Sequence, residues 1–291
     1  MRARSPRSVR HGGGVAVYRS PATAGYTLRA NLATPASIGT TQTELPSGPV
    51  SRWDHANVLR VAMAHGSLAS ADQILVLGGA NLAAIENADG EWEVIQFAKA
   101  ALVSAGVYDL SGLLRGQAGT EGAMRDPVAA GARFVILDAS VSQVDMTASD
   151  IGLPFNWKYG PAPYDIGHST YSTKLAFAFR GIGLRPLAPV HVRGEFSSGD
   201  LVIRWIRRTR IDGDNWEQAD VPLGEDREVY EIDIMNGATV VRTLTANSPS
   251  ATYTAAEQAA DFGISQPSYI LRICQLSTIY GRGQVKEVVV P

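Results

Sequence analysis

The sequence predicts a mainly β chain ending in a small β-sandwich, and three observations carry that prediction. Residues 201–205 (LVIRW), 230–234 (YEIDI) and 269–273 (YILRI) alternate apolar and polar side chains, the period of a half-buried strand. The first 185 residues carry more short runs of β-branched and aromatic residues. With 29 Gly and 15 Pro, turn-forming residues interrupt these runs at short intervals.

Strands are expected at residues 15–18 (VAVY), 26–29, 58–63, 73–77, 92–97 and 134–137, and again at 173–179. Residues 111–114 read as a single helical turn. An aromatic-rich extended segment holds Phe155, Trp157, Tyr159, Tyr164 and Tyr171. A Gly181–Gly183 hinge stiffened by Pro186 and Pro189 follows, which divides the chain into 15–185 and 186–291. In the second part, Leu201, Ile203 and Trp205 face a core, as do Tyr230, Ile232 and Ile234. Glu231 and Asp233 point the other way. Residues 254–261 (TAAEQAAD) form a short helix, with Thr254 and Glu257 spaced as a capping box and Gly263 as the stop. A turn at 281–283 precedes a last strand. This order, with Trp on the second strand and Tyr on the sixth, resembles a fibronectin type III module.

A net charge of −2 gives no reason to propose nucleic-acid binding. The single cysteine, Cys274, excludes an intrachain disulfide and a cysteine zinc cage within one chain. No apolar run reaches membrane-spanning length. Residues 1–14 are basic (Arg2, Arg4, Arg7, Arg10) and end in three glycines, which reads as a flexible leader.

Longer runs then point to a family. Residues 52–54 (RWD), 92–98 (WEVIQFA), 110–121 (LSGLLRGQAGTE), 181–186 (GIGLRP), 205–225 (WIRRTRIDGDNWEQADVPLGE) and 252–263 (TYTAAEQAADFG) resemble the C-terminal part of the tail-tip hub, or megatron, protein of gene transfer agents and related siphophages. The resemblance covers nearly all of the chain after Gly14. It implies that 15–185 is a β-rich tail-tip domain, that the chain assembles as a homotrimer with other tail-tip or baseplate proteins, and that it resides in the virion tail tip after assembly in the bacterial cytoplasm. The family's upstream hub and barrel of glycoside-hydrolase type are not in this sequence, so no hydrolytic activity carries over.

Chemistry-bearing motifs are sparse. Hydrolase, P-loop and dinucleotide patterns are missing, and the five histidines share no metal-ligand spacing. No catalytic residue, metal ligand or cofactor is therefore expected. Asp54 reads as a turn or strand-start residue, and Glu91 and Glu93 as a solvated strand edge rather than an acid/base pair. The run 112–119 (GLLRGQAG) reads as a tight turn in which Arg115 anchors a carboxylate. The acidic loop of Asp212, Asp214, Asn215 and Glu217 lacks the spacing of a calcium hand. Arg204, Arg207, Arg208 and Arg210 are the candidate surface contact, for an acidic glycan or a neighbouring subunit, with Asp212 and Asp214 as competing intrachain partners. The alternative to a structural tail role is a carbohydrate- or receptor-binding module at the host surface, through the sandwich or the aromatic segment 155–171.

Overall fold

The structure is a computed structural model that describes residues 13–213 and 220–291. The basic leader up to Gly12, and Asp214, Asn215 and Glu217 of the acidic loop, lie outside the described residues. The chain is mainly β and divides into two units between Arg180 and Gly181.

The first unit begins with β1 (Val15–Ser20), β2 (Thr27–Leu32), β3 (Ile38–Thr41), β4 (Trp53–Asp54) and β5 (Leu59–His65). Helix α1 (Gln73–Leu77), β6 (Leu82–Glu86), β7 (Trp92–Ser104), β8 (Val107–Gln117) and β9 (Arg133–Ile136) follow, and β10 (Pro154–Pro161) and β11 (Ser172–Ala178) end it. Strands β8-β5-β3-β9-β6-β7 pair in that order, and β7 pairs back onto β8, so the sheet closes on itself as a barrel. Closure removes free sheet edges. Most of its interior is apolar: Leu59, Val61, Ile85, Ile95, Leu110, Leu113 and Phe134 are all fully buried. The two strands before the barrel and the two after it form a separate antiparallel sheet in the order β11-β10-β1-β2.

Three local expectations are corrected here. Residues 73–77 are helix, not strand. Asp72 stands at the N-cap position, its carbonyl accepts from Val76 N, and Gly78–Gly79 ends the turn. A four-residue apolar run fits either period, so alternation alone did not decide it. Residues 111–114 are not a helical turn but the middle of β8, where they pair with β7. The run 112–119 is likewise no tight turn: it continues β8 through Gln117. The strand kinks at Gly116, whose φ of +57° and 2.9 Å approach of Glu121 Cα to a built Cβ leave no room for a side chain.

The second unit contains β12 (Val190–Ser197), β13 (Asp200–Ile206), β14 (Tyr230–Asn236), β15 (Thr239–Ala246) and β16 (Ser250–Tyr253). Helix α2 (Ala255–Phe262), β17 (Tyr269–Ser277), β18 (Gly281–Arg282) and β19 (Lys286–Val290) complete it. Sheet β12-β13-β16 faces sheet β15-β14-β17-β19 across a shared apolar core, the three-plus-four arrangement of a fibronectin type III-like sandwich. Trp205 is 4% exposed and meets Tyr230 edge-on at 5.0 Å between ring centroids, in the same core as Ile232 and Ile273. Tyr269, at the start of β17, accepts a hydrogen bond from Gln266 N at 2.8 Å, a closing contact of the tyrosine-corner kind.

Helix α2 starts as the sequence predicts. Thr254 Oγ1 accepts from Glu257 N at 3.3 Å, while Glu257 Oε2 accepts from Thr254 N at 2.9 Å. Removing the hydroxyl by Thr254→Ala is expected to lower stability by about 1 kcal/mol, read from the urea midpoint. A loss below about 0.3 kcal/mol would mean that packing alone holds the helix.

Candidate functional site

Three places carry the chemistry that the sequence singles out. The first is inside the barrel. Glu93 on β7 is fully buried, which corrects the solvated-edge expectation. Arg115 on β8, equally buried, donates from Nε and Nη2 to the two Glu93 oxygens at 2.7 and 2.9 Å. Its Nη1 donates to Pro46 O at 2.8 Å and lies 3.8 Å from Asp54 Oδ2. Gly116 N also donates to Glu93. The carboxylate anchored by Arg115 is thus real, and it sits across the β7–β8 pair. A fork-to-fork pair saturates both groups, so each is engaged in holding the barrel.

Asp54 ends β4 and accepts from Ala56 N, Asn57 N and Asn57 Nδ2, which makes it the turn residue that the sequence suggests. Burial pushes its carboxyl pKa up. The bonds from Asn57 and Ala56, with the nearby Arg115 charge, outweigh that and hold it below the ordinary carboxylate range. Glu91 points elsewhere: Arg180 and Arg125 bind its two oxygens at 2.9 and 3.0 Å. The Arg180 hydrogen bond is the main reason that its pKa is lowered. Glu91 and Glu93 therefore have different partners and do not act as a pair. His55 stacks on Trp53, and His65 Nδ1 lies 3.1 Å from Ala36 O. Among the described residues no group of three or more His, Cys, Asp or Glu is placed to hold a metal ion.

The second place is the arginine cluster. Arg204 is well exposed, 3.8 Å from Glu195. Arg207 and Arg210 are mostly covered. Arg207 binds Asp220 at 2.7 Å and approaches Glu228, while Arg210 binds Glu225 at 3.3 Å. Arg208 is half-buried. Among the described residues, acids downstream in the chain rather than Asp212 thus pair with Arg207 and Arg210, so the four do not form a free basic patch.

A third place comes from the aromatic segment. Trp157 and Tyr159 on β10 share one face of the four-stranded sheet with Val15 and Val17 of β1. Residues Val144 and Met146 wall that face, pinned by Arg29 Nη2 donating to Asp145 O and by Arg19 against Met146 Sδ and Asp150. The result is an open groove of about 550 Å³ whose lining is apolar except for the tips of Tyr159 and Lys174. Strand alternation in 155–159 and 15–17 carries this face in the sequence. The pairing of β1 with β10 does not show there, because the whole barrel intervenes. Among the described residues no helix is long and apolar enough to cross a membrane.

Residues 36–135 match the profile of a family described as Rcc01698-like, C-terminal. These residues take in β3 to β9 almost to their ends, so the match falls on the closed barrel. The family is named after a protein associated with a Rhodobacter gene transfer agent, and the match is consistent with a gene-transfer-agent-related protein. No curated protein matches the chain. Among solved structures, domains d3–d4 of the rat CD45 extracellular region align at 11% identity and a TM-score of 0.26, over 53% of this chain and 72% of that one. The chicken interferon gamma receptor alpha chain aligns at 9% identity and a TM-score of 0.26, over 88% of this chain and 98% of that one. Similarity at this level transfers neither fold nor function.

Proposed function

We propose that this chain is a structural component of a phage or gene-transfer-agent tail tip or baseplate, without turnover of its own, that contributes to tail assembly and host-surface contact. The observation that carries this reading is the family match on the barrel, joined by the long runs that resemble the megatron protein. The resemblance supplies the homotrimer, the neighbouring tail-tip proteins and the place in the virion. The organisation of the chain supports it. Buried Asp54, Glu93 and Arg115 serve the barrel, and the second unit is a sandwich of a type used as a spacer or contact module.

A carbohydrate-binding role finds less support. Sugars bring several hydroxyls per ring, and a site must answer them with hydrogen-bonding groups. The groove beside Trp157 and Tyr159 is nearly all apolar. The test is to tag the chain in a producing host and purify the particles. The chain is expected to co-sediment with intact tails and to label at the end distal to the head. Its absence from particles would overturn the proposal.

A further inference from the structure

The first unit carries a second apolar surface besides the groove. Helix α1 exposes Ile74, Leu75 and Leu77 at 74%, 58% and 61%, and buries only Val76. Three large apolar side chains on one exposed turn form the kind of patch that marks an interaction site. The helix carries no acidic residue in its first turn and no basic residue in its last. Beside it, at the N-cap position, is the Asp72 carboxylate, which makes no capping bond and, among the described residues, no ion pair. The groove has the opposite character. Its walls are apolar, and its one charge is the exposed Lys174 ammonium, which has no carboxylate partner among the described residues. Helix α1 contributes nothing to the groove of its own chain.

We propose that α1 of one copy seats in the sheet groove of the next, with Asp72 paired to Lys174 across the contact. Knob and socket lie on different surfaces of the same unit, so the contact is head-to-tail. Repeated by rotation, such a contact closes a ring. The inference rests on the homotrimer reading and adds to it the surfaces that touch. Apolar burial supplies the attraction, while the two lone charges fix which way the helix lies.

The test uses the full chain, mixed as light and isotopically heavy copies. A carbodiimide condenses an amine with a carboxylate, and the water removed passes to the carbodiimide to give a urea. An amide joining Lys174 Nζ to Asp72 is expected in light–heavy peptide pairs by mass spectrometry. Asp72→Lys alone and Lys174→Asp alone should each weaken association at least about tenfold, and the double exchange should restore it. Light scattering separates the two ways to fail. A trimer that forms without the Asp72–Lys174 peptide, and ignores both reversals, overturns this contact and leaves the trimer standing. A chain that stays monomeric at the highest soluble concentration overturns both.

Discussion

Arg115→Met is expected to destabilise the first unit by about 3 to 5 kcal/mol, because it leaves the Glu93 carboxylate buried without a cation. Both side chains are fully covered, and three hydrogen bonds converge on Glu93: two from Arg115 and one from Gly116 N. The bonds also tie β7 to β8, the pairing that closes the barrel, so the loss falls on the cooperative unit rather than on one strand end. Pairing the change with Glu93→Met should recover much of the loss, since apolar groups of similar size tolerate the same dry site. Urea unfolding of the wild type, the single variant and the double variant measures both effects. A single-variant loss under about 1 kcal/mol would mean that water reaches Glu93 and that the pair does not hold the barrel.

The second large effect is expected from Trp205→Ala, a loss of about 3 to 5 kcal/mol. Trp205 is buried between the two sheets of the sandwich, edge-on to Tyr230 and in the core that contains Ile232 and Ile273. Truncation to Ala removes apolar contact and leaves a cavity that strands on both sides are too tightly paired to fill. Trp205→Phe keeps most of the volume and should lose clearly less. Equal losses for Ala and Phe would show that the indole edge, rather than the packed volume, is what the core requires.

These two sites also mark where the sequence was legible and where it was not. Leu201, Ile203 and Trp205 alternate, and so do Tyr230, Ile232 and Ile234, because strands that are half-buried write their orientation into every second residue. The helix at Thr254 was legible for a similar reason: its capping box is a local motif. Glu93 was not legible. It shares a two-residue spacing with Glu91, yet Glu93 is fully buried while Glu91 is only partly covered, and the cause is Arg115, 22 residues further on. A partner at that distance appears only when the hairpin forms. The outer face of β14 shows the same limit. Asp233 points away from the core as alternation predicts, but it is buried by Thr243 and by Arg282, which bind it at 2.7 and 2.6 Å. In α1, a four-residue apolar run satisfied the strand and helix templates equally, and what sets it apart is the backbone bond from Val76 N to Asp72 O and the paired glycines that end it. The groove was legible only in part. Trp157 and Tyr159 announce an aromatic face, while its other walls come from strands and loops that the barrel separates in sequence.

The most direct test of the central claim is a cryo-electron microscopy map of purified tails from a producing host. The account predicts three copies of this chain around the tail axis at the tip, with the closed barrel of each copy ordered and α1 of one copy against the β1–β10 face of its neighbour. Tails that lack the chain at the tip, or that carry it there as a single copy without three-fold order, would contradict it.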